Sequence, residues 1–211
     1  MTSVTASRET RTSSGALAWA AVLLAVGPAR AQPGAPAWLE GTHPAGWNRP
    51  GAGVPEAPPP AGDLPDVARC RNASARPPGD AVERLVAASG WTLFGAAQEA
   101  GGARMVSACT SVDGMCRPLG YQVFVFVDGR FAGTLSPRPM DARGDGSATA
   151  QRFLSPVSVV AEFSRYAPSD PLCCPSRFAT VSYELRRTAR GPVLVPTHVT
   201  TAASGRAGAP R

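Results

Sequence analysis

The chain has 211 residues with 21 basic and 15 acidic side chains, a formal net charge of +6, and arginine at every basic position. Apart from Arg186 and Arg187 the arginines stand singly, so no basic stripe tracks a phosphate backbone, and a nucleic-acid partner is not expected. Two histidines, five cysteines and dispersed carboxylates offer no spacing for a metal, a cofactor or an acid–base pair.

Arg8 and Arg11 precede an apolar run at 15–27, and Ala29, Arg30 and Ala31 have the small-x-small pattern of a signal peptidase site. Residues 1–31 therefore read as a Sec signal peptide, and the expected location is periplasmic or secreted. The alternative is a retained anchor. However, the thirteen apolar residues rise only ~20 Å as a helix against a hydrocarbon thickness of ~30 Å, so no stable membrane insertion is expected after cleavage. Cleavage removes Arg8, Arg11, Arg30 and Glu9, leaving 18 basic and 14 acidic groups.

Residues 32–63 are rich in Pro, Gly and Ala and read as a disordered linker, partly polyproline-like. Trp38, Leu39 and Trp47 stand out in it, as transient packing on the domain or as a short partner-binding segment. The globular domain is placed at 64–200 and a disordered tail at 201–211.

The domain begins with one helix in GDAVERLVAASGW. Asp80 is the cap, Glu83 completes a capping box, Gly90 ends it, and Val82, Leu85, Val86 and Ser89 make a narrow stripe. In YQVFVFVDGRFAGTLS both faces of the strand are apolar, with Val123, Val125 and Val127 on one side and Phe124 and Phe126 on the other. This marks a central strand covered twice. Asp128 and Gly129 supply the tight hairpin turn. Further strands are read at 103–110, 157–166, 178–186 and 192–200, the last an edge because of Pro196. The expected fold class is α+β: an antiparallel sheet of about five or six strands with one packed helix, stapled by disulfides.

In an exported chain, paired cysteines are usually structural. The candidates are Cys70, Cys109, Cys116, Cys173 and Cys174, an odd count that leaves at least one thiol free or paired to another chain. Cys109 and Cys116 suit a bridge across a turn, while Cys70 needs a distant partner such as Cys173 or Cys174. Pairing of Cys109 or Cys116 with the 173/174 pair remains open. The rival reading is a thiol redox or cysteine-dependent enzyme centred on Cys173 and Cys174, with His198 as the available base, since His43 lies in the linker. Asp141, Asp145, Glu162 and Asp170 show no paired spacing. Arg143, Gly144 and Asp145 form an integrin-type tripeptide by chance in a loop, and Asn72, Ala73 and Ser74 form a formal glycosylation sequon.

From YQVFVFVDGRFAGTLSP through SVVAEFSRYAPSD, the CCPS loop and ATVSYEL, the chain resembles the LppP/LprE family of bacterial envelope lipoproteins over roughly residues 80–187. In that family a helix ending in tryptophan, here 82–91, precedes an aromatic strand, a D-G turn and a return strand with Gly-Thr. The resemblance implies an extracytoplasmic domain of no established enzymology and carries over no catalytic residue. The lipid-bearing cysteine of the family is missing after the apolar run. The function expected is a non-catalytic binding or structural module for an envelope component or protein, with a sheet face or the 136–150 loop as its contact.

Overall fold

The computed structural model describes residues 1, 36–60, 70 and 75–205. The leader reading of 1–31 lies outside these residues except for Met1, as do both ends of the expected linker and residues 206–211 of the tail.

Helix α1 (Ala81–Ala88) starts where Asp80 accepts the Glu83 main-chain N–H at 2.9 Å, and it ends at Gly90, whose φ is 86°. Two expectations for it change. Glu83 does not close a box onto Asp80 but accepts from Gly79 N at 2.7 Å, because Arg76 and Arg104 draw its carboxylate inward. Leu85 is exposed, so the packed face is Val82, Glu83 and Val86.

Two antiparallel meanders follow. The first sheet has β1 (Thr92–Ala100), β2 (Ala103–Cys109), β5 (Gln122–Val127) and β6 (Arg130–Thr134), in the order β1-β2-β5-β6. Between β2 and β5 the chain projects a two-stranded ribbon, β3 (Ser111–Val112) with β4 (Pro118–Leu119). The second sheet has β7 (Ala148–Ser155), β8 (Ser158–Arg165), β9 (Arg177–Thr188) and β10 (Gly191–Ala203), in the order β10-β9-β8-β7. The β5–β6 turn places Asp128 at φ 49° and Gly129 at φ 73°, the paired positive values of a tight hairpin.

The doubly apolar β5 lies between two cores. Val123, Val125 and Val127 pack against Val159, Ala161, Phe163, Val181 and Tyr183 of the opposite sheet. Phe124 and Phe126 pack outward under α1 with Val86 and Trp91, the Trp91 and Phe124 rings 5.0 Å apart. The layers are thus helix, sheet and sheet.

One sheet of five or six strands is therefore corrected, among the described residues, to ten strands in two four-stranded sheets and a ribbon. The strands absent from the sequence reading are β1, β7 and the ribbon. Strand β1 carries Gly95, Ala96 and Ala97 across a register break between Phe94 and Gln98, so it lacks clean alternation. Strand β7 is an edge with no buried residue and two register shifts of its own. Pro196 does lie in an edge strand, at a shift in the β9–β10 ladder.

The largest departure is the segment taken for a linker. Residues 36–57 lie along the domain as a strap. Leu39 is 2% exposed, and the Trp38 ring stands 4.9 Å from Phe163 and 5.0 Å from Trp47. Asn48 sits at the corner where β6 runs beside β10, bonding Thr134 of one and Leu194 of the other. Gly133, with φ 145°, leaves the space that Asn48 occupies. Further along, Pro55 O accepts from Trp91 Nε1 at 2.8 Å. The prolines that exclude a sheet ladder do not prevent docking by isolated anchors. The opposite corner is bridged by Gln98 Nε2 donating to Gln151 O at 3.0 Å.

Candidate functional site

A cleft of about 600 Å³ opens where β1, β2 and β5 meet β7 and β8. Phe94, Tyr121 and Val123 give it an apolar wall. Thr149, Gln151, Glu162 and Arg143 give it polar groups, and Phe178, Pro175 and Cys173 close the side nearest the β8–β9 loop. Tyr121 is held rigid by donating its hydroxyl to Ala148 O at 2.9 Å, and burial pushes its pKa above the ordinary phenol value.

Two loops frame the cleft, and carboxylates pin both. In the 135–147 loop, Asp141 accepts from Gly120 N at 2.8 Å, while Asp145 Oδ1 accepts from Arg165 Nε at 3.0 Å and Tyr166 N at 2.9 Å. Arg165 is 2% exposed and is satisfied on its other nitrogens by Glu40 and Leu39 O, both on the strap. Hydrogen bonding to Arg165 and its charge hold the Glu40 carboxyl below its usual range. Asp145 is thus engaged structurally, which leaves Arg143, Gly144 and Asp145 without the free carboxylate an integrin-type signal presents.

In the 166–176 loop, Asp170 Oδ2 accepts from Ala167 N at 2.7 Å and Ser176 N at 2.8 Å, and the Ala167 bond is the chief cause of its lowered pKa. Tyr166 donates its hydroxyl to Leu172 O at 3.0 Å. The loop so fixed holds Leu172 out to solvent at 72% exposure, next to Cys173 and Cys174.

The cysteines pair differently from the preferred reading. Cys70 bonds Cys116, Cys173 bonds Cys174, and Cys109 is the free thiol. Alternation along β2 turns Cys109 into the inter-sheet core with Met105, out of reach of a turn-spanning bridge, while the ribbon carries Cys116 to Cys70. Burial raises the Cys109 pKa to about 11, so its thiol stays protonated at neutral pH. Of the five candidates, only Cys173 lines the cleft. His198 does not approach the pair at 173 and 174. It lies 5.6 Å from His43, which bonds Thr197 O through Nδ1 at 3.1 Å. No group of three or more His, Cys, Asp or Glu side chains is gathered for a metal among the described residues.

A second carboxylate cluster lies under α1. Glu83, 2% exposed, takes a bidentate pair of bonds from Arg76 at 2.7 and 2.8 Å and one from Arg104 at 2.8 Å. These bonds, Arg76 first, lower its pKa to about 2 against the penalty of burial. This cluster lies outside the cleft and locks helix to sheet. Of the loop residues, the sequence singled out Asp141, Asp145 and Asp170 without roles. It missed Arg165, whose only signal was a charge at the end of a strand.

Residues 104–188 match the family model of the LppP/LprE lipoprotein. The match runs from β2 to the end of β9, so it takes in the cleft walls from β2, β5, β7 and β8, both framing loops and Cys173–Cys174, but not Phe94 of β1. The strap, α1, β1 and β10 lie outside the LppP/LprE segment. No curated protein and no solved structure matches the chain. Over residues 104–188 the chain is similar to the LppP/LprE lipoproteins. Among the described residues, no helix is long and apolar enough to cross a membrane.

Proposed function

We propose that the protein is an exported envelope module that binds a ligand or protein through the cleft between its two meanders and performs no catalysis. The observation that carries this reading is the pinning of both framing loops by buried or backbone-bonded carboxylates, Asp145 and Asp170, so that an aromatic-walled recess is held open without a lid. Preorganised recesses with a few convergent polar groups are the usual form of a recognition site. The 136–150 loop, expected as a contact, contributes Ala142, Arg143 and Ser147 to the lining.

The test is hydrogen–deuterium exchange on the full chain with and without a detergent-solubilised envelope fraction. Protection confined to 142–151 and 166–178, and lost in Phe178→Arg, supports the reading. Protection elsewhere alone, or none, overturns it.

A second reading has one specific observation in its favour: the bonded Cys173–Cys174 pair is exposed. An external dithiol would reduce it to two thiols as the dithiol itself closes to a disulfide. Reversible appearance of two thiols per chain under mild reductant and oxidant favours redox work; one thiol, seen only after unfolding, favours the binding module.

A further inference from the structure

The tertiary structure gathers arginines that are far apart in sequence. Three turns meet at one end of the sandwich. They are the Arg49–Ala52 turn of the strap, where Ala52 N donates to Arg49 O, the β5–β6 turn, and the β9–β10 turn. Arg130 donates to Arg190 O at 3.0 Å, and a Cβ on Gly51 would stand 3.1 Å from that same oxygen, so the three turns are in contact. Arg187 of β9 pairs with Asp128 at 2.6 Å across two of them, and Arg186 pairs with Glu184 at 2.8 Å. Among the described residues no carboxylate lies within ion-pair distance of Arg49, Arg130 or Arg190, and all three are exposed. Five guanidiniums against two carboxylates leave an excess of three positive charges on a few turn residues.

We propose that this end docks on a bilayer surface carrying anionic phospholipid, with Arg49, Arg130 and Arg190 engaging headgroup phosphates. The planar guanidinium fork matches phosphate oxygens two at a time, and uncompensated charges on adjoining turns act together over less than a Debye length. Lipid is favoured over nucleic acid because the turn residues 49–52, 128–130 and 188–191 include no aromatic ring on which a base could stack. The inference is independent of the cleft reading and survives its failure.

The test is co-sedimentation of the full chain with phosphatidylcholine vesicles with and without phosphatidylglycerol, at ~0.05 M and ~0.5 M salt. The neutral vesicles measure any contribution of the apolar run at 15–27. The expected result is binding that requires phosphatidylglycerol, disappears at the higher salt, and falls about 100-fold in the Arg49→Gln, Arg130→Gln, Arg190→Gln triple variant. A control triple, Arg84→Gln, Arg138→Gln and Arg152→Gln, removes the same charge elsewhere and is expected to bind within about threefold of wild type. Should the first triple not fold, Arg49→Gln with Arg190→Gln leaves the Arg130 bond intact and reads the same loss. Equal loss in both triples, salt-insensitive binding, no binding, or preferential binding of duplex DNA overturns the proposal.

Discussion

The side chain of Asn48 bonds both main-chain polar atoms of Thr134, accepting from its N–H at 2.9 Å and donating to its carbonyl at 3.0 Å, as a neighbouring strand would. The same amide nitrogen donates to Leu194 O at 2.9 Å, so one residue of the strap joins the edges of both sheets. Asn48→Ala is expected to lower unfolding stability by about 3 kcal/mol, roughly 1 kcal/mol for each lost bond. Urea equilibrium melts measure it, and an unchanged midpoint would show that the strap is ornamental.

Acid sensitivity is expected to centre on Glu83. Its folded pKa, about 2, is depressed from 4.5, so its contribution is present above pH 4.5 and is lost as the pH falls toward 2. The shift corresponds to about 3 kcal/mol. Glu83→Gln is therefore expected to lose about that much at neutral pH and to flatten the stability curve between pH 4.5 and 2. An acid limb identical to wild type contradicts the assignment.

Tyr183, fully buried between the sheets, donates its hydroxyl to Leu135 O. Tyr183→Phe keeps the ring and strands that carbonyl, which is expected to destabilise the fold by about 1–3 kcal/mol. Thermal unfolding monitored by near-ultraviolet circular dichroism reads the change.

Peptide mapping without reduction is expected to recover a 70–116 cross-linked pair and a Cys173–Cys174 peptide, with Cys109 alkylated only after unfolding. Closing a loop of 46 residues restricts the unfolded chain by about 4 kcal/mol, so Cys116→Ser is expected to lower stability by about that amount. A Cys109–Cys116 peptide would restore the turn-spanning bridge that the fold argues against.

How much was legible in advance follows from the range of each signal. The hairpin at β5–β6 was readable because two apolar faces and an Asp-Gly turn are local statements, and the cap at Asp80 needed only the next three residues. The cleft was not readable as a site. Its wall comes from Phe94 and Tyr121, its rim from Cys173 and Phe178, and nothing in their spacing announces that two meanders face one another. The aspartates beside it looked idle because their partners, Arg165 and the backbone amides of Gly120, Tyr166, Ala167 and Ser176, are chosen by the path of the loops.

From its sequence alone this chain determined an antiparallel β-rich domain with one capped helix, a doubly covered central strand and a resemblance to envelope lipoproteins, since period and turn chemistry act over a few residues. Only the tertiary structure decided that a proline-rich stretch is a strap, that Cys116 joins Cys70 while Cys109 stays buried, and that Arg49, Arg130 and Arg190 share one end of the molecule. Each of these depends on side chains meeting across long sequence separations, and local propensity carries no term for such encounters.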